Sequence, residues 1–121
     1  MDELIARLVA NVGIDASVAE KAVGIILNFL VKEGPSEQAQ ALIAQLPGAD
    51  AVMQKAADAG GGLFGSMGGI MGVGSRLMGA GLSMGEVQGV TREIIAFGRE
   101  KAGEDTVGAL VSAIPGLSQF I

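Results

Sequence analysis

Apolar residues recur at intervals of three and four along most of this chain, which is the spacing of one face of an α-helix. The first stripe, followed by Gly13, consists of Leu4, Ile5, Leu8, Val9 and Val12. The second stripe runs from about residue 16 to 32 and covers more than half of the circumference of its helix. Its polar strip consists of Glu20, Lys21, Asn28 and Lys32. We therefore expect the second helix to be central and buried.

Helix-capping and helix-breaking residues divide the rest of the first half of the chain into separate helices. Asp15 is placed to cap the second helix, and Gly34-Pro35 separates it from a third, since Gly suits a helix end and Pro a helix start. The third helix should stop before Pro47, and residues 49–57 could form a short fourth helix. The apolar stripe of the third helix consists of Ala39, Leu42, Ile43 and Leu46.

The same order of signals returns when the chain is shifted by 68 residues, the separation of Gly13 and Gly81. Ser83 then takes the place of Asp15, and Ser83 with Glu86 forms a capping box. The shift also superimposes Ile26 on Ile94, Phe29 on Phe97, Leu42 on Leu110 and Pro47 on Pro115, with no gap. This pattern indicates an internal duplication.

The duplication predicts a helix where composition alone would not. Residues 2–12 fall on residues 70–80, so the end of a glycine-rich run should form the first helix of the second repeat. Each interior Gly costs about 0.5–1 kcal/mol relative to Ala, so this helix should form only when packed against other helices.

We therefore predict a single all-α domain with two pseudo-symmetric helical repeats of about three helices each, sharing one core. Repeat one would span residues 2–53, a Gly/Met-rich joining segment residues 59–69, and repeat two residues 70–121. A unit of about 50 residues would be only marginally stable alone.

Composition removes several kinds of chemistry. The chain has no Cys and no His, so it lacks the usual nucleophile–base pairs, and we expect no enzymatic activity, cofactor or metal site. Its net charge of -5 argues against nucleic-acid binding. Residues 69–75 resemble a phosphate-binding loop but lack its lysine. The acidic residues are explained by helix caps, first turns and solvated faces, and the absence of a signal-peptide pattern makes the cytoplasm the expected location.

The glycine-rich run, residues 59–81, holds ten of the 20 glycines. Gly61, Gly65 and Gly69 are four residues apart, as are Gly68 and Gly72, so each set would line one helix face. Such a face suits close helix–helix contact within the fold or between copies, but the run could equally be a flexible linker. Membrane insertion is a third interpretation, although the uncharged stretch, residues 59–75, is short for a span. The candidate interaction face comprises Gly61, Phe64, Gly65, Met67, Gly68, Gly69, Met71 and Gly72.

Four methionines lie in or beside this run, namely Met67, Met71, Met78 and Met84. They could form an adaptable apolar binding surface, or they could fill gaps in the core.

The two units end in Leu46-Pro47-Gly48 and Ile114-Pro115-Gly116. In this arrangement the chain resembles repeats in bacterial families of unknown function, including the VcgC/VcgE type, in which a Gly- and Leu-rich section precedes a helical pair. Here Met often replaces Leu in that section. The resemblance implies an all-α fold, implies no established activity and carries no functional residues across.

The sequence thus leads to a non-enzymatic helical interaction module, self-associating into a homo-oligomer through the Gly/Met-rich face. The alternative is a peripheral membrane protein that exposes this face to lipid or another apolar ligand.

Overall fold

The second apolar stripe forms the central helix of the structure, a computed structural model that describes residues 2–60 and 69–114. This helix, α2 (Ala16–Glu33), buries nine of its residues. It packs against five other helices, so the predicted central position is confirmed.

The described residues form an all-α structure of seven helices and contain no strand. The helices other than α2 are α1 (Asp2–Asn11), α3 (Ser36–Ala44), α4 (Ala49–Gly60), α5 (Gly69–Gly79), α6 (Met84–Ala102) and α7 (Glu104–Ala113).

The two longest helices, α2 and α6, pack against each other at the centre. Helices α1 and α5 each contact both of them, and α3 packs against α2, α6 and α7. The buried apolar side chains form one continuous cluster, to which α1, α2, α5 and α7 contribute the fully buried residues Leu8, Leu27, Leu77 and Leu110. Burying each such side chain contributes about 1.5–3 kcal/mol, so helices from both halves of the chain stabilise one core.

Helix α4 makes its most extensive contact with α2. Gly24 lies against the backbone of Val52, and a Cβ atom at Gly24 would overlap the Val52 carbonyl oxygen. Asn28 is half-buried and its Nδ2 donates a hydrogen bond to the Met53 carbonyl oxygen at 2.9 Å. The polar strip of α2 is therefore not exposed along its whole length, because α4 covers it at Asn28.

The helix boundaries expected at Gly34 and Pro35 are both present, but Gly34 is favoured by close packing and not by its backbone conformation. Gly34 has a φ of -90°, so it is not needed for left-handed backbone. A Cβ there would lie 2.7 Å from Cδ2 of Leu110, which indicates that close packing favours glycine. Pro35 precedes the first helical residue of α3.

The N-terminal caps of the two central helices also differ. Asp15 occupies the N-cap position of α2, but its side chain makes no capping hydrogen bond. At α6, both bonds of the predicted capping box are present, because Ser83 N donates to Glu86 Oε1 at 2.9 Å and Glu86 N donates to Ser83 Oγ at 3.3 Å. Only the second cap satisfies backbone donors through side-chain oxygens.

Candidate interaction face

The structure places part of the predicted face on helix α5. Gly69, Met71 and Gly72 lie in the first turn of α5. The remaining members, Gly61, Phe64, Gly65, Met67 and Gly68, lie outside the described residues. The helix predicted over residues 70–80 is present as α5, despite its glycine content.

Tertiary contacts explain why this glycine-rich segment is helical. Val73 and Leu77 lie one turn apart, and their side chains are 7% and 0% exposed. Helix α5 contacts both α2 and α6. Burial of these two side chains offsets the low helix propensity of the glycines, as the sequence led us to expect.

Outside this buried stripe, α5 has space around its small residues. A Cβ atom added at Gly74 or Gly79 would meet no atom within 4 Å. Met78 is 49% exposed, and Ser75 is also exposed. The guanidinium group of Arg76 turns back toward the fold, where Nη2 lies 3.5 Å from the Ala56 carbonyl oxygen. This surface of α5 therefore presents small residues and a methionine.

A second exposed methionine lies six residues later, at the start of the next helix. Met84 is the first residue of α6 and is 57% exposed. For Met78 and Met84, the interpretation as gap-filling core residues is wrong. The predicted face stopped at Gly72, although the seven-residue spacing of Met71 and Met78 was a signal that it could extend along the same helix.

Charged side chains are concentrated at another interface, between α1 and α6. Arg7 Nη1 donates to Glu100 Oε2 at 2.8 Å, and Arg7 Nη2 lies 3.4 Å from Glu93 Oε2. The hydrogen bond to Glu100 raises the pKa of Arg7, while partial burial opposes this rise. The guanidinium carbon also lies 5.4 Å from the centre of the Phe97 ring.

Lys101 completes this cluster. Its Nζ lies 5.4 Å from the centre of the Phe97 ring and 3.5 Å from Glu3 Oε2. Three carboxylates, those of Glu3, Glu93 and Glu100, thus pair with cations across two helices instead of only lining solvated faces. These pairs connect α1 with α6, and among the described residues no three acidic side chains are grouped to hold a metal ion.

Membrane insertion was one interpretation of the glycine-rich run. Within residues 2–60 and 69–114, no helix has both the length and the apolar character required to cross a bilayer.

Comparison of the chain with protein-family models, with curated proteins and with solved structures gave no match.

Proposed function

We propose that this protein is a non-enzymatic helical interaction module that self-associates through a Gly/Met face. This face comprises the residues predicted from the sequence, extended along α5 and into α6 by Gly74, Met78, Gly79 and Met84. The observation that carries the proposal is the exposure of Met78 and Met84, at 49% and 57%, beside glycines with open space around them.

The chemistry of this surface favours a second copy of the chain. Methionine side chains are flexible and adapt to an irregular apolar partner, and glycines allow two helices to approach closely. Packing this surface against its own copy would remove both exposed thioethers from water.

The mass in solution tests this proposal. Light scattering should give a dimer or larger assembly for the wild type and a monomer for Gly65→Leu/Gly69→Leu. The control Ala41→Leu/Ala44→Leu adds the same side chains at exposed positions of α3 and should leave the assembly unchanged. A monomeric wild type would contradict self-association.

Lipid binding is the alternative for the same surface, because exposed methionines also suit an apolar ligand. Flotation with neutral and anionic vesicles distinguishes the two. Wild-type protein that floats, and Met78→Lys/Met84→Lys protein that does not, would favour the lipid alternative.

We further propose that the chain is an internally duplicated fold. In support, adding 68 residues to the bounds of α1, α2 and α3 gives 70–79, 84–101 and 104–112, against Gly69–Gly79, Met84–Ala102 and Glu104–Ala113 for α5, α6 and α7. Gly13 and Gly81, which this offset relates, both have positive φ, at 86° and 110°. The packing of α1 on α6 also has its counterpart in the packing of α5 on α2.

A further inference from the structure

Methionine is the side chain of this protein that oxidants attack most readily. The chain has six methionines and no Cys, Trp, Tyr or His. Oxidation converts a methionine thioether into a sulfoxide, which is polar and can be reduced again. A reversible oxidation of this protein therefore takes place at methionine.

The methionines differ in how accessible their side chains are. Met78 and Met84 are 49% and 57% exposed, whereas Met53 is half-buried and packs against the core. Because oxidation requires access to the sulfur atom, a peroxide in solution should react with Met78 and Met84 before it reacts with Met53.

The backbone between Met78 and Met84 is held in place by the fold. Leu82 N donates a hydrogen bond to the Leu77 carbonyl oxygen at 3.2 Å, and both of these leucines are buried. The capping box of Ser83 then begins α6, one residue before Met84. Neither methionine belongs to the buried core cluster. A sulfoxide oxygen at either site would thus meet water and leave the fold intact.

We propose that Met78 and Met84 form a reversible oxidation switch that controls self-association of this protein. The inference rests on the function proposed above, in which both thioethers are buried between copies. With hydrogen peroxide as the oxidant, the sulfur lone pair forms a bond to one peroxide oxygen, the O–O bond breaks, and water leaves after proton transfer. Sulfur loses two electrons to the peroxide. A sulfoxide reductase with two thiols as the reductant removes the oxygen as water and leaves a disulfide.

The sulfoxide opposes association because it is a polar acceptor in an apolar contact. The neighbouring residues Gly79 and Gly85 have no side chain that could donate a hydrogen bond to it. Each unpaired polar group that is buried on association should weaken the affinity about tenfold, so oxidation of both methionines should weaken it about 100-fold or more.

Peptide mapping after treatment with dilute hydrogen peroxide tests the site. In the full-length protein, at a concentration where light scattering shows monomer, Met78 and Met84 should gain oxygen severalfold faster than Met53. In denaturant the three rates should become equal. At concentrations where the protein assembles, the rates at Met78 and Met84 should fall, because association covers their sulfur atoms, while the rate at Met53 should not change.

Light scattering before and after oxidation tests the switch. The oxidised wild type should be a monomer with an unchanged Tm, and methionine sulfoxide reductases of both epimer specificities should restore the assembly. Met78→Leu/Met84→Leu keeps the side chains apolar without an oxidisable sulfur, so this variant should remain assembled in peroxide. Met53→Leu is the matched control and should dissociate as the wild type does. Met78→Gln/Met84→Gln, which makes both side chains polar, should be monomeric without peroxide.

Two results would overturn the inference while leaving self-association intact. One is an assembly that persists when both sulfoxides are present, and the other is a Leu variant that dissociates in peroxide like the wild type. Equal oxidation rates of Met53, Met78 and Met84 in the folded monomer would show that these sites are not selective. A wild type that is monomeric before oxidation would contradict the proposed function itself.

Discussion

Gly24 of α2 and Val52 of α4 are in backbone contact. A Cβ atom at position 24 would overlap the Val52 carbonyl oxygen and lie 2.6 Å from Cβ of Ala56. Only a residue without a side chain permits this approach, through which α4 covers the central helix.

Gly24→Ala should therefore destabilise the protein, although alanine is the better helix former. We expect a loss of about 1–3 kcal/mol, which is typical of overpacking. Chemical denaturation measures it. Gly108→Ala in α7 is the control, since its Cβ would meet no atom within 4 Å, and it should be neutral or stabilising by up to about 1 kcal/mol. Equal effects of the two substitutions would contradict the close contact.

Ser83→Ala should cost more stability than Asp15→Ala. Ser83 accepts a hydrogen bond from the Glu86 backbone, so its removal should cost about 1 kcal/mol. Asp15 makes no side-chain capping bond, and it stabilises α2 only by its charge near the helix start, by a few tenths of a kcal/mol when salt screens it. Urea denaturation in moderate salt compares the two variants, and the reverse order would be inconsistent with these caps.

The pair formed by Arg7 and Glu100 should show coupling of about 0.2–1 kcal/mol in a double-mutant cycle, because both groups are partly solvated. The variants Arg7→Gln, Glu100→Gln and the double substitution supply this cycle, and the coupling should shrink at high salt. The raised pKa of Arg7 means that its contribution is complete below the unfolded pKa and is lost only as pH rises through the folded value. Coupling near zero at low salt would show that the two charges do not interact in solution.

The two halves of the chain should remain associated after cleavage between α4 and α5. Helix α1 packs on α6, α5 packs on α2, and α3 packs on α7, so the contacts between the halves do not depend on the connection. A protease site introduced within residues 61–68 allows the test. After cleavage, both fragments should elute together in native buffer and separate in denaturant, whereas separation in native buffer would contradict the shared core.

The sequence determined the helices themselves. The spacing of apolar residues and the positions of helix-capping and helix-breaking residues are local properties of the sequence. They therefore predicted the apolar stripe of α2, the helix boundaries near Gly34 and Pro47, and the capping box at Ser83. The helical state of the glycine-rich α5 followed from its correspondence with α1. The proposed duplication itself is an inference from the same spacing.

Only the tertiary structure decided how each face is used. The spacing that places Asn28 in a polar strip cannot show that α4 supplies a carbonyl oxygen to it. The positions of Glu93 and Glu100 along α6 likewise cannot show that both contact Arg7 of α1. The spacing also could not separate buried Leu77 from its exposed neighbour Met78. A side chain's burial depends on which helices pack around it, and that packing joins residues far apart in the chain.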